Sequence, residues 1–180
     1  MIIHYQYDLR KTIEVILYLL KKRNKIGRLH IQKTLYLADK YHLNKYYRPI
    51  IGDEYVAVTY GPMASVTENL LLKDDYTVAE LGEEIPFEKE GIYCTTPKRV
   101  PNMKKLSQSD IEEIDIAWDY VKDKSFDELN ASKEIHDEAY HKVWDSRTTN
   151  NPLMNYYDML SEENKKKAEE IFECTENMVL

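Results

Sequence analysis

The sequence is poor in the residues that build most recognisable sites. Cys94 and Cys174 are its only cysteines, too few for a disulfide framework and without the Cys-x-x-Cys spacing of zinc or thiol-exchange sites. GxGxxG, GxxxxGK[ST] and GxSxG are all absent, so phosphate cradles and nucleophile elbows have no support. Long apolar runs are missing as well: VILYLL, Val15 to Leu20, is the longest and falls far short of a bilayer span. The opening MIIHYQYDLRKTIE lacks the basic-then-apolar layout of a signal peptide. These absences lead us to expect a reduced, cytoplasmic protein with no membrane segment.

Positive charge is also in deficit. With 25 Lys and Arg against 32 Asp and Glu the net charge is −7, which argues against general affinity for nucleic acid. Its distribution is uneven: Lys21 to Lys33 holds six basic residues and no acid, and Ser107 to Glu138 is dominated by acids, so two faces of opposite sign are expected. Phenylalanine and tryptophan are scarce beside 15 tyrosines. A tyrosine ring fills core volume while its hydroxyl seeks a partner, so most should line the margin between core and solvent.

At 180 residues the chain suits one domain with a real core. Leu9, Ile13, Ile16, Leu17 and Leu20 form the stripe of an amphipathic helix capped by Asp8. Leu29 to Tyr47 is helical in pattern but apolar on two sides, Ile31, Leu35 and Ala38 on one and Tyr36, Leu43 and Tyr47 on the other. It should be central, with the first helix packed beside it. Arg48-Pro49 stops it. Tyr55 to Tyr60 favours extended structure, Gly61-Pro62 reads as the turn that ends it, and Ser65 with Glu68 as a capping box. A hairpin or flap is expected near residues 86–100, turning at Glu90-Gly91. Ser107 with Asp110 and Ser125 with Glu128 read as capping boxes, opening helices that carry Ile111, Ile114, Trp118 and Val121, then Phe126 and Leu129. A further helix covers about Glu134 to Ser146, and a polar C-terminal helix occupies residues 161–180. The expected class is mainly α, a compact single-domain helical fold over residues 1–180 with one small β-hairpin or flap.

No constellation points to catalysis, a metal or a cofactor. His136 and His141 lie five apart, which breaks the i, i+4 spacing of a helical zinc pair. Asp53 and Glu54, adjacent in an extended run, point to opposite faces, and Asp53 reads as a turn acid bonding local backbone amides. Cys94 has no histidine nearby in sequence. Lys21, Lys22, Arg23, Lys25 and Arg28 lie between the first two helices in an outline like a helix-turn-helix. A prophage-related DNA-binding regulator is therefore the alternative reading, although the second helix spends its surface on apolar residues.

One stretch carries a resemblance. Lys33, Tyr36, Leu37, Ala38, Pro49, Ile50, Gly52, Asp53, Glu54, Tyr60, Gly61 and Pro62 follow, in order, the pattern of the Panacea domain family of SocA-like antitoxins and phage-associated proteins. HDEAYHKVW, beginning at His136, resembles the family's His-plus-aromatic segment, with Tyr140 or Trp144 as the aromatic. The resemblance spans roughly residues 8–160. It implies a mainly helical antitoxin, not an enzyme, that binds and neutralises a cognate toxin encoded by an adjacent gene. Some members act instead as adaptors that deliver the toxin to a protease. In that light Tyr36, Asp39, Asp53 and Tyr60 are the expected partner contacts, and Lys33, Gly52, Gly61, Pro62 and His136 are positions that make the fold.

Overall fold

Asp8 opens the first helix, accepting a bond from the Lys11 amide at 2.9 Å, and α1 runs over Leu9–Lys22 with Ile13, Ile16, Leu17 and Leu20 buried. The structure, a computed structural model, describes residues 1–176, with side chains to residue 170. After α1 come β1 (Lys25–Gly27) and α2 (Arg28–Tyr46). Tyr47 ends α2 in the left-handed conformation, its N–H returning to the Leu43 carbonyl at 2.9 Å. Both apolar sides of α2 are inside, Ile31, Leu35 and Ala38 as well as Tyr36 and Leu43. The helix is therefore central, as its two-sided pattern requires.

Its main neighbour is a different helix from the one expected. α5 (Gln108–Val121) packs along α2, and α1 lies on α5 through Lys11–Asp110 at 2.9 Å, Tyr18–Asp115 at 2.9 Å and Lys22–Asp115 at 2.9 Å. α5 buries Ile114, Ala117, Trp118 and Val121 and carries acids on its flanks, so it accommodates a basic helix on one side and the tyrosine-rich α2 on the other.

The basic stretch between α1 and α2 is not a helix-turn-helix turn. Ile26 and Cys94 are buried opposite one another in an antiparallel pairing of β1 with β5 (Tyr93–Thr95). β5 pairs in turn with β4 (Glu88–Glu90), giving the order β1-β5-β4. The expected hairpin at Glu90-Gly91 is present, and β1 extends it by a strand.

The segment after α2 also differs in detail. β2 (Tyr55–Val58) and β3 (Gly61–Ala64) pair in register with Thr59 and Tyr60 as the turn. Gly61 and Pro62 thus belong to the returning strand rather than to the turn. Pro152 and Met154 bond to the free edge of β2 (Ala57 N to Pro152 O, 2.9 Å; Met154 N to Tyr55 O, 2.8 Å).

α3 (Ser65–Leu72) follows β3 directly, and α4 (Asp75–Leu81), which sequence reasoning missed, packs on it. Both later capping boxes form, at Ser107–Asp110 for α5 and Ser125–Glu128 for α6 (Phe126–Asn130). α7 is shorter than expected, Glu138–Trp144, because Asp137 caps it through the Tyr140 amide at 3.0 Å. α8 (Glu162–Glu176) is tied to the end of α2 by Asn164 bonding the Asn44 carbonyl at 2.7 Å. Residues 177–180 of the expected terminal helix lie outside the described residues. The architecture is helix-dominated, with small antiparallel sheets making it mixed rather than purely α.

Candidate functional site

Two buried carboxylates organise the chain on either side of the β2–β3 hairpin. Asp39, on α2, accepts the Ile50 and Ile51 amides at 2.8 and 3.0 Å and the Tyr55 hydroxyl at 3.1 Å. Asp53 accepts the Val66 amide at 3.0 Å and the Thr67 amide and hydroxyl at 2.8 and 2.5 Å. Asp53 is thus the N-terminal cap of α3, reached from another part of the chain and not from its own turn. Ser65 makes no cap bond, and Glu68 turns instead to Gln32 at 3.0 Å and Arg28 at 3.3 Å. The Tyr156 hydroxyl joins the two centres, 2.8 Å from the Asp53 carbonyl and 3.3 Å from the Asp39 carboxylate. Burial pushes Asp39 up to about 6, against the opposing pull of its amide donors. It raises Asp53 as well, with Thr67 and Val66 working against the shift.

Under the hairpin turn a second polar group gathers. Lys33, from α2, is almost wholly buried and donates to the Pro62 carbonyl at 2.8 Å. No carboxylate lies within ion-pair distance of it among the described residues. Desolvation lowers it to about 7. His136 approaches from the other side: its Nδ1 lies 3.2 Å from the Ser132 carbonyl and so carries the proton, which leaves Nε2 as a lone pair. Gly61 lies between them with φ +93°, and an added Cβ would stand 2.9 Å from His136 Nε2 and 3.1 Å from Lys33 Nζ. Only glycine fits that space in that conformation. Tyr140 packs edge-on against His136 at 4.9 Å and donates to the Val58 carbonyl at 2.9 Å. It stacks on Trp144 at 5.7 Å, so Tyr140 is the aromatic in direct contact with the histidine.

Above this frame lies a groove of about 560 Å³ between the start of α2, the β2–β3 turn, the β4–β5 turn and α6. Four large apolar side chains on it reach solvent: Tyr60 is 50% exposed, Phe126 47%, Ile92 60% and Tyr93 39%. Tyr60 and Phe126 meet edge to face at 5.1 Å. Arg28, Leu29, His30, Val58 and Met63 also line it.

Of the four expected contact residues, the structure brings only Tyr60 to this surface. Tyr36, Asp39 and Asp53 are buried. Tyr36 donates to Asp137 at 2.8 Å, and the two aspartates hold backbone. A partner docking on this conformation meets none of the three. Gly52 sits against the Gln6 carbonyl with φ +70°, and Gly61, Pro62, Lys33 and His136 meet under the hairpin turn. Phe126, Ile92 and Tyr93 went unrecognised as surface residues. Phe126 and Leu129 are three apart and share a helical face by pattern, yet Leu129 enters the core while Phe126 turns to Tyr60.

The domain is helix-dominated, with a frame of buried polar bonds beneath an exposed aromatic groove. Residues 31–140 match the family described as antitoxin SocA-like, Panacea domain, and the chain belongs to that family. The match is narrower than the 8–160 span of the resemblance, but it includes the hairpin, both buried aspartates and His136. No curated protein and no solved structure matches the chain.

Proposed function

We propose that the protein is an antitoxin that neutralises a cognate toxin by direct, stoichiometric binding, with the groove around Tyr60 and Phe126 as the contact surface. Membership of an antitoxin family supplies the class of partner. The observation that carries the placement is the convergence of Tyr60, Ile92, Tyr93 and Phe126, all solvent-facing, on one concave surface. Exposed aromatics held on a rigid base bind at low entropic cost and concentrate in binding hot spots. The toxin is expected from a neighbouring gene, and delivery to a protease is a second way in which the complex could dispose of it. The protein acts here as a binding module rather than an enzyme.

The DNA-binding alternative finds less support. Lys22 pairs with Asp115, Arg23 with Asp123, Lys25 with Glu90 and Arg28 with Glu68, leaving little unspent charge for phosphates.

Co-expression with the adjacent gene tests the proposal, scoring growth and co-purification together. The neighbour should arrest growth alone, and this protein should restore it and elute with it. Tyr60→Arg and Phe126→Arg should abolish both effects without changing the far-UV circular dichroism. Rescue that survives both substitutions would move the interface elsewhere.

A further inference from the structure

The end of α2 away from the groove holds a pair of side chains with a chemistry of its own. His42, on α2, is wholly buried. Its Nδ1 lies 2.7 Å from the Arg48 carbonyl, which can only accept, so Nδ1 carries the proton and Nε2 is left as the lone pair. Nε2 lies 3.0 Å from the Ser109 hydroxyl on α5, which therefore donates to it. The Ser107 hydroxyl stands 2.9 Å from Ser109 in turn. A serine bonded to a neutral imidazole whose other nitrogen is held by a third group is the arrangement of an activated hydroxyl nucleophile. The sequence hides it, because 67 positions separate the pair.

The surroundings favour proton transfer. Burial lowers His42 below its ordinary value of 6.5, with the Arg48 and Lys11 charges adding to the shift and the Arg48 carbonyl and Asp110 opposing it, so the imidazole is neutral at pH 7. The Asp110 carboxylate, 3.4 Å from Nε2, would steady the imidazolium once it forms, and Lys11 at 2.9 Å and Arg48 at 3.4 Å keep that carboxylate ionised. The Tyr46 ring packs against the imidazole at 4.5 Å. Ser109 is only half-buried, within reach of a reagent from solvent.

We propose that Ser109 is a nucleophilic acyl-acceptor site, with His42 as its general base, reactive toward activated carboxylic esters. Ser109 Oγ bonds to the ester carbonyl carbon as Nε2 takes the hydroxyl proton. The tetrahedral intermediate then breaks its bond to the leaving oxygen, which receives that proton from the imidazolium. The products are an ester of Ser109 and a free alcohol or phenol. This is a site of covalent modification on a binding module, and it stands apart from the toxin reading: roughly 18 Å of helix separates His42 from His30 on the groove, and neither reading needs the other.

The test treats the whole protein with p-nitrophenyl acetate and, separately, with diisopropyl fluorophosphate, and maps the modified residue by peptide mass spectrometry. Ser109 should take either group about 100-fold faster than the exposed Ser107 and Ser125. Its rate should climb with pH through the folded His42 value and level off by about pH 7. Ser109→Ala should abolish the reaction with unchanged circular dichroism. His42→Gln, which keeps a hydrogen-bonding amide but no base, should slow Ser109 about 100-fold; should that variant fail to fold, the pH profile of the wild type makes the same decision. A merely structural bond leaves Ser109 no faster than the other serines. That result, or a rate that keeps rising about tenfold per pH unit without levelling off, as attack driven by hydroxide does, would overturn the inference.

Discussion

At the scale of single residues, the buried charges set the pH response. Asp39 has a folded value near 6 and an unfolded value near 3.8, so between them the folded state holds the extra proton. Its contribution is greatest below the unfolded value and is lost as pH rises through about 6. In urea melts the unfolding free energy of the wild type, referenced to Asp39→Asn, should fall by about 2 kcal/mol between pH 4 and pH 7; a flat difference would mean that the carboxyl is solvated. Lys33 runs the other way at higher pH. Lowered to about 7, it adds stability as pH rises toward its unfolded value, and Lys33→Met should remove that slope. Gly61 provides a steric test. Gly61→Ala should cost roughly 1–3 kcal/mol, and more than Gly82→Ala, because both have positive φ but only Gly61 has His136 and Lys33 in the way. Thermal melts of the two variants decide it.

At the scale of elements, α3 shows why local sequence signals mislead. Ser65-x-x-Glu68 has the letters of a capping box, but Asp53 already occupies the N-terminus of α3, and Glu68 is more valuable to Arg28. Asp53→Ala should therefore destabilise the protein by about 2 kcal/mol or more and release amide-exchange protection first in residues 66–70. Ser65→Ala should change stability by less than about 0.5 kcal/mol. The boxes at Ser107 and Ser125 were legible because the bonds within each box form, even where Lys11 also reaches Asp110. α1, α2, α5 and the hairpin near residue 90 could likewise be read from periodicity and turn chemistry. β1 could not, since three residues become a strand only where β5 lies beside them. The same limit hid most of the groove: Tyr60 stands in a recognisable motif, whereas Ile92, Tyr93 and Phe126 are assembled with it by topology.

For the whole molecule, the uneven charge resolves in part internally. Acids of α5 meet cations of α1 and α2, with Lys11, Lys22 and Lys45 bonding Asp110, Asp115 and Glu113, so part of the charge of opposite sign is matched within the fold while Lys21, Lys25, Asp119 and Asp123 stay exposed. Asp110 is the most buried of these acids. Desolvation would raise it, but the bonds from Lys11 and Ser107 outweigh that and hold it below the ordinary carboxylate value. Its contribution is present above the unfolded value and lost as pH falls through the folded one. Asp110→Ala should cost about 3 kcal/mol at pH 7, a deficit that shrinks in acid below about pH 4; a constant deficit would assign the loss to packing alone. The Tyr156 hydroxyl that joins the Asp39 and Asp53 centres also imposes an order of events during synthesis. Ile3 bonds Asn155 and the Tyr5 ring packs on Tyr156, so Ile3 and Tyr5 wait for partners made some 150 positions later. Until Tyr156 emerges, the Asp39 carboxylate lacks one donor, the Asp53 carbonyl lacks its partner, and the aromatic core at Tyr5 and Tyr55 stays open.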